Sequence, residues 1–404
     1  MTLLLTARFG GVHLNNVSPA GVLPAHEIER LIAEGRIIGG RPDASITHNV
    51  QPASLDLTLG PVAYRLQASF LPQSDTVNNR LTDLVMYELN LEKGAILEKG
   101  AVYLIPLNEN LRLPADIRGK TNPKSSTGRL DVFTRVITDN CARFEEIAPG
   151  YFGGLYLEVV PRSFTIKVKM GQRLNQLRLV RTPEGENGGK SPDGPSGASR
   201  QITGAELLRL YESQRLLFNN DGQFIDTDFH VRSGDGLLMS VDLARSESGA
   251  IGYMAKKNSH VIDLEKISHY DADDFWETLH PPRNGRLILE PEEFYIFASK
   301  ERIRIPLDCA AEMVEFDAGS GELRTHYAGF FDPGFGYGGK GEVAGTKAVL
   351  EVRPHDVPFI IEDGQILFKM KYERMSSPST IWYGTELGSN YHDQTLRLAK
   401  QFRK

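Results

Sequence analysis

Apolar and polar positions run along this chain with two different periods. Between Pro24 and Ile37 the residues Ile28, Leu31, Ile32 and Ile37 follow helical spacing, and Pro24 suits a first helical turn. From Gln51 the period shortens to two. SLDLTLG (54–60) alternates cleanly, AVYLIPL and LRLPADI are short apolar runs, and FTIKVKMGQRLNQLRLV reads as two strands joined at Gly171. Many short strands broken by Gly and Pro, after one early helix, predict a mainly β domain of the barrel or jelly-roll kind.

The same ordered text then returns. ITGAELLRLYESQRLLF (202–218) answers the first helix, MSVDLAR (239–245) answers ASLDLTL, IRIPLDCAAEM (303–313) answers LRLPADIRGKT, and AVLEVRP answers LYLEVVP. The offset stays at about 190 residues throughout, so two copies of one fold are expected. The boundaries that follow are an extension over 1–21, a first domain over 22–181, a Gly/Ser/Pro-rich linker or lid over 182–201, a second domain over 202–376 and a tail over 377–404.

Composition narrows the function. A formal net charge of −6 lacks the clustered excess of Lys and Arg that a nucleic-acid surface needs, so an anionic ligand should be small and held locally. No apolar window reaches the length of a membrane span, and MTLLLTARFGG is too short for a signal sequence. Cys141 and Cys309 are too few for a disulfide framework and too isolated for a zinc cluster. A reducing, cytoplasmic setting is expected. The ten histidines show no metal-ligand spacing, the H-x-E…P-C-x-x-C pattern of zinc deaminases is absent, and the Gly-rich run around Gly339 has no P-loop frame.

The candidate chemistry lies in TNPKSSTGRLD (121–131). Pro123 and Gly128 keep this stretch out of a regular element, and two hydroxyls, Ser125 and Ser126, sit between Lys124 and Arg129. That grouping suits phosphate oxygens and a water. Glu158, in the strand GGLYLEVV, is a lone carboxylate among apolar neighbours, a setting that favours the raised pKa of a general base. A solvated serine loop and a Glu satisfied by an Arg are the structural alternatives.

KSSTGRL, the APGYFGGLYLEVV strand and KMGQRLNQLRLV together resemble the dCTP deaminase branch of the dUTPase-like family, over most of residues 22–180. The resemblance implies two tandem dUTPase-like β-barrel domains, each preceded by a short helix. It also implies zinc-independent hydrolysis of dCTP to dUTP and ammonia, with Mg²⁺ carried on the triphosphate. Glu158, Ser125 and Arg129 are then expected to be catalytic. Lys124, Ser126, Arg129, Thr138, Arg143, Gln176, Lys190, Tyr391 and Gln394 are expected to bind substrate. In the second copy DAGSGEL (317–323) replaces KSSTGRL, so Lys124 is answered by Asp317, Arg129 by Glu322, and Gln176 by Lys369. Glu351 is retained, with Arg353 placed to pair with it, so the second copy reads as degenerate. FFDPGFG (330–336) nevertheless keeps the family's Asp-Pro-Gly turn better than EEIAPGYFG does. Family practice implies a homotrimer of tandem chains. Cleavage of dUTP, alone or after deamination, and a non-catalytic nucleotide-binding role remain as alternatives.

Overall fold

The computed structural model describes residues 19–39, 45–183, 201–244, 249–282, 284–316, 323–325, 329–384 and 395–403. It is mainly β. A helix opens each half, Ala25–Ala33 and Gly204–Gln214. In the first, Ala25, Ile28 and Leu31 are buried on one face, as the helical spacing of the apolar positions dictates.

Each half then builds two main sheets. In the first half one sheet runs through Glu146–Ile147, Ile117–Pro123, Asn175–Arg181 and Ser54–Leu57, and the other through Val132–Ile137, Phe152–Pro161, Val102–Arg112, Val62–Leu66 and Val85–Asn90. The second half repeats this. Cys309–Glu315 pairs Ile366–Arg374 as Ile117–Pro123 pairs Asn175–Arg181, and Thr346–Pro354 pairs Tyr295–Ile303 as Phe152–Pro161 pairs Val102–Arg112. The alternation in the sequence is therefore the alternation of the pleat: Leu155, Leu157 and Val159 face one core, while Ala348, Leu350 and Val352 face the other.

The halves are knitted together. Ile166–Val168 pairs in parallel with Ile262–Asp263 of the second half, and Phe164 packs edge-on against Phe275 and Trp276. Arg178, with no exposed surface, donates to Ala311 O at 3.0 Å and to Asp332 at 3.2 Å. Burying a guanidinium is tolerable only with such partners. Lys120 binds Glu312 at 2.5 Å across the same junction, and Arg181 reaches Glu27, which also accepts from Ser376 Oγ at 2.6 Å.

The end of the chain packs back onto this core. Leu398, Ala399 and Phe402 are buried, with Phe402 lying against Tyr270, Phe275 and Trp276. The loose apolar spacing after Gln394 suggests a short docking helix. The segment docks, but as turn and extended backbone, hydrogen-bonded through Lys400 O and Gln401 O to residues 268–270. Among the described residues no helix is long and apolar enough to cross a membrane.

Candidate active site

The loop singled out in the sequence carries the chain from one sheet of the first half to the other. After the Ile117–Pro123 strand, Lys124 N donates to Leu174 O at 2.9 Å, and Ser125–Gly128 forms a single helical turn closed by Gly128 N to Lys124 O at 3.0 Å. Asp131 ends it with φ +53°, a left-handed conformation that turns the chain into Val132–Ile137. This fixes the order of side chains, with Ser125 outward, Ser126 and Arg129 buried, and Lys124 reaching Asp56.

The loop forms one wall of a pocket of about 640 Å³, and the second half forms the other. Lys124, Ser125, Ser126, Arg129, Arg173 and Gln176 line it from the first half. Met313, Phe330, Asp332, Val349 and Glu351 line it from the second, and Lys400 and Gln401 come from the C-terminal segment. Cations therefore come from the first half and the tail, the aromatic surface comes from the second half, and both halves supply apolar side chains. The volume lies within the roughly 300–1,000 Å³ of small-molecule sites.

Glu351 is the acid of this pocket. It lies on the Thr346–Pro354 strand, on the face opposite the second core, and packs so tightly on the loop that a Cβ placed on Gly128 would lie 2.9 Å from its Cδ and overlap its carboxylate oxygens. Burial pushes its pKa up to about 8; the Arg129 charge opposes the shift and Asp131 adds to it. No hydrogen bond from the described residues stabilises its ionised form. A raised pKa does not by itself mark the site. Burial also lifts Glu109 to about 7 and Glu145 to about 8, and neither lines the pocket.

Arg353 does not pair with Glu351, contrary to the expectation from their spacing. It reaches across to Asp131, which also accepts from Ser163 Oγ at 2.6 Å, and its guanidinium lies 5.8 Å from the Phe294 ring. The reason is geometric: Asp131, at the end of the loop, sits where the guanidinium arrives, and both groups are nearly fully buried.

Glu158 lies elsewhere. It is fully buried on the Phe152–Pro161 strand and accepts from Arg135, Nε at 3.0 Å and Nη2 at 2.5 Å. Arg135 is itself stacked over Phe144, 3.5 Å from the ring centroid, and donates to Ser69 at 2.9 Å. The lone-carboxylate reading is corrected here, because Arg135, directly opposite in the cross-strand register, supplies the charge that the local text around Glu158 does not. Glu158 does not line the pocket.

Of the other expected residues, Ser125, Ser126, Lys124, Arg129 and Gln176 are brought together. Thr138 is buried away from the pocket and Arg143 is at the surface, 3.4 Å from Glu146. Lys190, Tyr391, Gln394 and residues 317–322 lie outside the described residues. Sequence reasoning missed Asp56, Arg173 and Lys400, and assigned Glu351 to a degenerate copy. Asp56 binds Lys124 and lies 3.9 Å from Arg173. Lys400 has its pKa lowered by burial and by the neighbouring Lys124 and Arg173 charges, so three cations converge on this part of the wall. Among the described residues no cluster of His, Cys, Asp and Glu is placed to hold a metal ion.

Fold and site define a tandem β protein with a pocket, sized for a nucleotide and rimmed by cations, at the junction of its copies. Comparison with known proteins places it further. Residues 19–183 match the model of the 2'-deoxycytidine 5'-triphosphate deaminase (DCD) N-terminal domain, and residues 203–402 match that of the DCD C-terminal domain. The chain belongs to the dCTP deaminase family and is an enzyme of that family, a hydrolase acting on a cyclic amidine C–N bond. It is similar to the crystal structure of a 2'-deoxycytidine 5'-triphosphate deaminase from Agrobacterium tumefaciens, with 42% identity and a TM-score of 0.77, over 89% of this chain and 99% of that one. It is 29% identical over 161 residues to a "dCTP deaminase, dUMP-forming" of Methanosphaera stadtmanae, covering 39% of this chain and 77% of that protein. A protein of the same name from Acidothermus cellulolyticus is 30% identical over 164 residues, 40% of this chain and 80% of its own length.

Proposed function

We propose that this chain deaminates dCTP in one pocket built from both copies, with Glu351 of the second copy acting against the Ser125–Arg129 loop of the first. One observation carries the reading: the Glu351 carboxylate packs on Gly128, in the middle of that loop. Ionised Glu351 takes a proton from water as the oxygen attacks C4 of the cytosine. That proton passes to N3, the proton of the new C4 hydroxyl is carried to the exocyclic amine, the C4–N4 bond breaks as the C4 carbonyl forms, and ammonia and a uracil ring remain. Ser125 orients the water or the amine. Arg129 and Ser126 hold phosphate oxygens, with Lys124 beside them and Gln176 at the base. The reaction proceeds without zinc. Mg²⁺ would come with the triphosphate and help neutralise its charge, and Asp56, engaged by Lys124, is not left to hold it.

The product is dUTP on this reading. Hydrolysis onward to dUMP is the second reading, favoured by the names of the two relatives above and by Asp332, whose Asp-Pro-Gly turn lies at the pocket where the first copy has Ala148. A homotrimer is the expectation carried over from the resemblance. Purified protein incubated with dCTP and assayed separately for ammonia and pyrophosphate decides among the readings. Ammonia alone supports dUTP formation, and ammonia with pyrophosphate supports dUMP formation. Absence of both products would overturn deamination at this pocket in favour of a non-catalytic nucleotide-binding role.

A further inference from the structure

Glu351 and Arg353 are two residues apart on one strand and point to the same face, at the junction of the two copies. A guanidinium in that position is the natural partner for the acid, and pairing would hold the acid ionised and occupied. It is instead drawn away by Asp131, a fully buried carboxylate in a left-handed backbone conformation at the end of the site loop. The anchorage is over-determined. Asp131 also accepts from Ser163 Oγ, its carbonyl accepts from Arg162 N at 2.8 Å, and Arg353 donates in addition to Glu292 O.

Resting on the proposed role of Glu351, we infer that Asp131 is a positioning residue which, by capturing Arg353, keeps that guanidinium off Glu351 and leaves the acid available as a base. The other charged groups around Glu351 are accounted for. Arg129 faces it from the loop, and Lys347 on its own strand is held by Asp242. Asp332 is held by Arg178, and Lys400 lies beside Lys124 and Arg173. Arg353 is therefore the cation whose allegiance the loop decides. The raised pKa of Glu351 agrees with this arrangement, since Asp131 adds to it.

The test is the pH profile of kcat/KM for ammonia release from dCTP, measured on the full chain. In Asp131→Asn the freed guanidinium turns to Glu351, and the acid limb moves down by about one pH unit. Arg353→Lys, which keeps a cation for Asp131, leaves the limb where the native protein has it. An equal loss at every pH with an unmoved limb in Asp131→Asn would overturn the inference and leave Asp131 a purely structural group. Should that variant not fold, Asp131→Asn/Arg353→Met replaces the buried pair by neutral groups of similar size. Its limb is expected at or slightly below the native position. A rise of about one unit would mean that Arg353 acts on Glu351 directly, and would refute the inference. The proposed role of Glu351 fails separately, if Glu351→Gln keeps native turnover.

Discussion

Glu158 and Glu351 occupy the same place in two copies of one strand, LYLEVVP and AVLEVRP, and their surroundings differ completely. Over Glu158 the first half folds its own segment, residues 67–84 with the helix Val77–Leu81, which packs with Leu66, Leu104 and Ile137 on the Glu158 side of the sheet. Arg135, Ser69 and Phe144 close the space. In the second half the equivalent segment turns away and pairs through Ile262–Asp263 with the first half, so the face around Glu351 is met by the loop of the other copy. A retained residue in a retained strand therefore takes its role from what packs on it. The loop and the acid of the first copy belong to different surroundings, although they are only about thirty residues apart in the chain.

The comparison breaks first at the acids themselves. Glu351→Gln should lower kcat about a thousandfold, within the range of general acid–base effects, while Glu158→Gln stays within a few-fold of native in the same ammonia assay. The reverse ranking would return the chemistry to the first copy. A smaller loss should follow Gly128→Ala, because the added methyl displaces the Glu351 carboxylate. About a hundredfold in kcat, with modest change in KM, is expected of such a displacement, and native kinetics would show that the contact does not matter.

Stability sharpens the contrast. Glu158→Gln loses the charge of a buried ion pair and should cost about 1–3 kcal/mol in denaturant unfolding. Glu351→Gln should behave oppositely. The unfolded Glu351 loses its proton near 4.5 and the folded one near 8, so the native protein forfeits stability as pH rises through that window. The variant should melt higher than the native protein at pH 8 and about equally at pH 4.5; a lower melting point at pH 8 would show that Glu351 is stabilised as a carboxylate.

Much of this was legible in the residues. The period-two text located the strands, the repeat located the copies, and KSSTGRL located the loop, because those signals are local. The partner of the loop was not, since pairing of copies is a long-range fact that neither strand states. Arg353 two places after Glu351 suggested a neutralised acid, and only the three-dimensional path of Asp131 reverses that. Arg135 was invisible as the mate of Glu158 because cross-strand register, not sequence distance, joins them. Lys400 reaches the pocket by way of Phe402 and Leu398, whose docking the loose apolar spacing only hinted at.

Complementation tests most directly whether loop and acid meet within one chain. Co-expressing the Glu351→Gln and Arg129→Met chains, each inactive alone, gives no site holding both native residues if each pocket is built from a single chain. The account predicts that ammonia release stays at the level of the separate variants. Recovery to about a quarter of native activity, the share expected if two chains pooled their halves at random, would contradict it.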